Sequence, residues 1–218
     1  MKTKNIESCF GQRFIGGGSK DTNYTIHGTP GNALGSFLDG GTITVHGNVQ
    51  DAVGDTMNEG TIIVHGNAGD ALGYAMRGGS IFVKGDTGYR TGIHMKEYKE
   101  KRPLIVIGGK TGSFLGEYLA GGIIIVLGIN ERDLPLGNFT GTGMHGGKIF
   151  VRTKKSLASL PAQVIAEKPL DADLQEIMPS IKQFAELFNF DFDHIIKTPF
   201  CLLRPNVKNP YKQLYTPH

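Results

Sequence analysis

The sequence has no tryptophan, only two cysteines, and no apolar run of the roughly 18 residues that a membrane-spanning helix needs. Its first ten residues, MKTKNIESCF, lack the apolar stretch of a signal peptide. Cys9 and Cys201 lie at opposite ends of the chain and form no CxxC pair, so neither a disulfide framework nor a cysteine metal or redox motif is expected. These absences predict reduced thiols, a cytoplasmic setting and no membrane. Charge of one sign is scarce too. Lys and Arg number 23 against 20 Asp and Glu, and a formal charge of +3 gives no electrostatic case for nucleic acid. The densest charged segment, KEYKEKR (Lys96 to Arg102), mixes signs and reads as a solvated loop.

Glycine is what the chain has in excess: 32 of 218 residues, about twice the usual share of roughly 7%. The glycines are periodic. Gly28, Gly47, Gly66 and Gly85 stand 19 residues apart, and the series continues at Gly109 and Gly128 after an insertion containing KEYKEKR. A final copy, KIFVRT, follows a second insertion over Ile129 to Pro135. A second column holds Gly16, Gly35, Gly54, Gly73, Gly92, Gly116 and Gly141, and a third Leu38, Met57, Met76, Met95, Leu119 and Met144. A period near 20 marks a solenoid, in which each repeat buries its apolar face against its neighbours.

The pairs Ile43/Val45, Ile62/Val64, Ile81/Val83, Ile105/Ile107, Ile124/Val126 and Ile149/Val151 alternate with period two, as β-branched strand residues do. Parallel stacking sets successive copies about 4.8 Å apart, and 19 residues give a coil perimeter near 60 Å. The expected fold is all-β: a right-handed parallel β-helix of about seven coils, with glycines at corners and the Leu/Met column in the core. Between the inward positions, Thr25, Thr44, Ile63, Phe82, Val106, Ile125 and Phe150 point outward. This column turns apolar along the solenoid, so a helix or a partner is expected to cover it.

The repeat occupies 1–153, followed by a linker over 154–170 and a C-terminal helix with an extended tail, 171–218, packing on the β-helix as a cap. Leu174, Ile177, Ile181, Phe184 and Leu187 have helical spacing, Asp173 and Glu176 suggest a capping box, and Pro179 suggests the first turn of a second helical segment.

Three constellations could carry chemistry. GTGMHG contains a literal G-x-G-x-x-G (Gly141, Gly143, Gly146), but a strand follows where a dinucleotide site needs a helix. His27, His46 and His65 share one column; three histidines can hold zinc, yet a straight ladder keeps its rings parallel, and a structural or surface role is expected. Asn32, Asp51 and Asp70 form another column. Acidic residues on a β-helix groove can do acid–base work, but at a corner they are favoured as turn makers. The residues therefore predict no catalytic, cofactor-binding or metal site in this chain.

The coils GNALGSFLDGGTITVHG, QDAVGDTMNEGTIIVHG, GDALGYAMRGGSIFVKG and TGSFLGEYLAGGIIIVLG, closing with GTGMHGGKIFV, resemble the GXGXG family, the β-helical C-terminal domain of the glutamate synthase large subunit. The resemblance covers roughly Gly16 to Val151, and the ending NPYKQLY resembles the stand-alone, archaeal-type form. It implies a non-catalytic component of glutamate synthase, which transfers glutamine's amide nitrogen to 2-oxoglutarate. FMN and an iron–sulfur cluster would then reside in partner polypeptides, and the amidotransferase nucleophile, an N-terminal cysteine, elsewhere than Cys9. A scaffold subunit of formylmethanofuran dehydrogenase shares the domain and is the alternative; a free-standing β-helix enzyme and a homo-oligomer are further ones.

Overall fold

The segment Thr-Ile-x-Val recurs because one coil cannot bury its own aliphatic face. In the computed structural model, which describes residues 1–157 and 160–206, the copies stack into one ten-stranded sheet. Its parallel strands are β1 (Lys2–Phe10), β2 (Thr22–Thr29), β3 (Asp39–His46), β4 (Glu59–Val64), β5 (Ser80–Val83), β6 (Leu104–Ile107), β7 (Ala120–Val126) and β8 (Gly146–Arg152). Register follows the repeat: Ile43 pairs with Ile62, Ile62 with Ile81, Ile81 with Ile105, and so on to Ile149. These isoleucines, the valines two residues on and the Leu/Met column are buried together inside the coil. The result is a β-solenoid of about seven turns.

Only one side of each coil is continuous strand. The other sides are joined by single bridges, such as Val49 to Ala68 and Ala68 to Thr87, and by a tight corner at the second glycine column. Gly54 shows why that corner needs glycine. Its φ is +67°, and a Cβ there would lie 2.5 Å from Ile81 Cδ1 in the next coil.

Beyond β8 the chain departs from the expected layout. Within the stretch expected to be a linker, Val164–Glu167 forms β9, and Leu157, Leu160 and Val164 pack on the solenoid interior. Helix α1 (Asp171–Phe188) and the short α2 (Phe192–Ile196) lead into β10 (Phe200–Pro205), which runs antiparallel between β8 and β9. The end of the stack is thus continued by β10 and β9, and α1 lies on the flank instead of over the end. Ile177, Ile181, Phe184 and Phe188 bury the outward column of Ile63, Phe82, Val106, Ile125 and Phe150, so this chain's own helix covers that face.

Two local expectations are corrected. The helix starts at Asp171, so Asp173 is its third residue, accepting the Leu170 backbone N–H at 3.1 Å, rather than its N-cap. Pro179 lies inside one uninterrupted helix. It forfeits one backbone hydrogen bond, and the apolar stripe on both sides of it holds the helix to the sheet. NPYKQLY lies outside the described residues, as does half of the expected extended tail.

Candidate functional site

Every column that could carry chemistry is governed by the stacking of coils. His27, His46 and His65 stack ring on ring, with centroids 4.7 Å apart at each step and interplanar angles of 16° and 23°. Near-parallel imidazoles at rung spacing do not converge on a point between them. Among the described residues, no group of three or more His, Cys, Asp or Glu side chains is placed to hold a metal ion. The ladder ends against α1, where His65 meets the Phe188 ring edge-on at 5.2 Å. Burial there, with the charges of His46 and Lys84, pushes the His65 pKa below its ordinary value.

The acidic column is committed to backbone. Asp51 accepts the N–H of Asp70 at 2.9 Å, and Asp70 accepts that of Tyr89 at 2.8 Å. A second ladder runs through Asn48, Asn67 and Asp86, each accepting from the coil after it. Each carboxylate here stitches one coil to the next.

Most amides of GTGMHG are likewise occupied. Gly141 N–H donates to Leu115, Met144 to Gly141, and Gly146 to Leu119, and β8 follows in place of a helix. With a strand after it, the motif lacks the helix N-terminus that a dinucleotide site uses.

The structure also holds an arrangement that the columns did not reveal. Three alternate residues in each corner have left-handed backbone, for example Ala52 (φ +56°), Gly54 (+67°) and Thr56 (+52°). The alternation aims successive amides in opposite directions. Gly54 N–H donates back to Leu34, whereas those of Ala52 and Thr56 donate forward to Asp70 and Tyr74. Non-glycine residues fill the outer two positions in most coils, and many are large: Phe14 and Phe37 in the first two coils, and Arg90, His94, Phe114, Tyr118 and Phe139 in the later ones. Phe114 and Phe139 stack at 5.1 Å beneath the Arg90 guanidinium, and His94 and Tyr118 stack at 5.1 Å beside Tyr74. Phe139 is 57% exposed and Tyr118 41%. The sequence signal was available two residues either side of each glycine of the second column.

A third cluster fixes α1 to the solenoid. Asp173, almost fully buried, receives Lys148 at 2.7 Å and both oxygens bond Arg204 Nη2 at 2.8 Å. Lys148 also reaches Glu176 at 2.8 Å, which in turn pairs with Arg102 of the first insertion. The Lys148 hydrogen bond holds the Asp173 carboxyl below its ordinary pKa against the opposing effect of burial. Lys101 of the same insertion pairs with Glu59 and Asp39, so this loop is spent on its own chain. This architecture presents rigid surfaces; its titratable groups are held in stitches and ion pairs.

Comparison with known proteins agrees with this construction. The chain is 46% identical to an uncharacterized protein of Methanocaldococcus jannaschii, over 97% of this chain and 85% of that protein. Among solved structures it resembles a chain of the formyltransferase/hydrolase complex from Methylorubrum extorquens, determined with methylofuran. The TM-score is 0.69 at 24% identity, covering 86% of this chain and 69% of that one. The model of the GXGXG motif family matches residues 3–203, and the chain belongs to that family.

Proposed function

We propose that this protein is a non-catalytic scaffold subunit of a multi-subunit glutamate synthase, docking cytoplasmic partners that carry the amidotransferase, FMN and iron–sulfur chemistry. The observation that carries a docking role is the exposed aromatic corner. Tyr118 and Phe139 hold exposed rings, with Phe114 half-buried against Phe139, at left-handed positions that carry the exposed Phe14 and Phe37 in the first two coils and Arg90 and His94 in a later one. The choice of glutamate synthase rests on the resemblance of the coils and of the ending NPYKQLY. A second reading, a scaffold of a formylmethanofuran dehydrogenase, is favoured by the solved relative, whose complex is a formyltransferase/hydrolase.

Co-expression with the amidotransferase and FMN/iron–sulfur polypeptides of its source tests the first reading. Leaving this chain out should abolish assembly or glutamine-dependent glutamate formation, and the combined Phe114→Ala/Phe139→Ala variant should weaken assembly while folding normally. Full activity without the chain overturns the proposal. Co-purification from the native source with molybdopterin-bearing subunits would select the second reading.

A further inference from the structure

Arg152, the last residue of β8, is 9% exposed. Its Nε donates to Ile195 O at 2.7 Å and its Nη1 to Leu127 O at 3.2 Å, and it enters no ion pair among the described residues. The contrast is with Arg204 and Lys148, which burial has provided with Asp173, Glu167 and Glu176. A buried cation without an anion is costly, and two neutral carbonyls offset only part of that cost. No Asp or Glu occurs among the residues outside the described set, 158–159 and 207–218, so they bring no carboxylate side chain to it. Nη2, one arm of the guanidinium fork, has no hydrogen-bond partner among the described residues.

Arg152 lines an open cavity of about 290 Å³ between the second insertion and the segment after β8. Arg132, Lys154 and Lys155 also line it, together with Glu131 and Asp133. Asp133 is already taken by Lys155 at 2.6 Å, so positive charge remains in excess. Thr153 Oγ1 accepts the Lys155 N–H at 3.0 Å, which leaves its hydroxyl hydrogen to donate. Thr198 also lines the cavity.

We propose that this cavity is a binding site for a small-molecule oxyanion, a phosphate or a carboxylate, held by the free arm of Arg152 and by Lys154. The Nη2 arm still offers two N–H donors on a permanently charged group whose other nitrogens are held by Ile195 and Leu127, so it is fixed in place for an anion's oxygen. The volume admits such a group together with a small organic body. The site is independent of which complex the chain joins.

Isothermal titration of the full-length chain at constant ionic strength tests it, with inorganic phosphate in one arm and succinate in the other. One saturable site per chain is expected for at least one probe, and the arm that saturates at lower concentration tells phosphate from carboxylate. Arg152→Lys, which keeps charge but removes the fork, should weaken binding about tenfold or more. The surface variant Lys154→Ala/Lys155→Ala, whose fold is not at stake, should also weaken it. No saturable binding of either probe up to about 10 mM would overturn the proposal. So would wild-type affinity in a folded Arg152→Lys protein or, should that variant not fold, in the double variant.

Discussion

Replacing Gly54 by alanine separates the two reasons for the corner glycines. The backbone at φ +67° costs an L-residue about 1–2 kcal/mol. The new Cβ would stand 2.5 Å from Ile81 Cδ1, and such overpacking costs about 1–3 kcal/mol. Together Gly54→Ala should destabilise by about 2–5 kcal/mol, a large part of the roughly 5–15 kcal/mol that holds a domain together. Ile81→Val deletes the offending methyl and alone costs about 0.5–1.5 kcal/mol. In the Ile81→Val background the steric part vanishes, so Gly54→Ala should there cost only about 1–2 kcal/mol. The double-mutant cycle then shows a favourable coupling of about 1–3 kcal/mol. Urea unfolding followed by circular dichroism reads it, with midpoints and slopes compared because solenoids can depart from two-state behaviour. Ala52→Gly, at φ +56° two residues earlier, should be neutral to stabilising in the same assay. Strictly additive Gly54 and Ile81 effects would refute the packing account, and a Gly54→Ala cost below about 1 kcal/mol would refute both parts.

Asp173→Ala strips Lys148 and Arg204 of their shared carboxylate and should cost about 2–4 kcal/mol, less than for fully buried ions because both cations are part-exposed. Native-state hydrogen exchange should place the loss in α1. Protonating His65 opposes folding, because its folded pKa lies below the unfolded value of about 6.5 and the unfolded chain binds more protons. Its contribution therefore falls as pH drops from about 6.5 through the folded pKa, and His65→Gln should flatten the pH–stability curve in that window. Deleting residues 171–218 removes α1 and β10, exposes Phe82, Ile125 and Phe150, and should produce aggregation by light scattering; a well-behaved monomer would show that the helix does not protect that face.

The solenoid was legible because stacking forces equivalent residues into columns, so each strand was read six or seven times. The outward column announced its own cover for the same reason: Thr25 and Thr44 stay partly exposed, and Phe82 and Phe150 lie beneath α1. Beyond β8 there are no copies to average over. Val164–Glu167 has only four residues and makes a strand because β10 returns beside it, a long-range pairing that local pattern does not encode. Pro179 was misread because propensity favours a helix start there, whereas packing of Ile177 and Ile181 carries the helix through. The buried Arg152 lacked a signal, since its column otherwise holds His, Lys, Gly and Leu.

The left-handed corners explain why the aromatic face is informative. Ala33, Ala52 and Ala71 occupy the same backbone state as Phe114 and Phe139, and Ala33, Ala52, Ala71 and Phe114 each donate their N–H to the next coil. The inter-coil hydrogen bond therefore secures the conformation whatever the side chain. A bulky residue is less at ease at positive φ than alanine, and the Phe139 ring stays 57% exposed while Phe114 is half-buried against it. Fold stability gives little selection for the exposed ring of Phe139. Contact with a surface outside the chain would give more, because a preordered, stacked aromatic pair loses little side-chain entropy when a partner covers it.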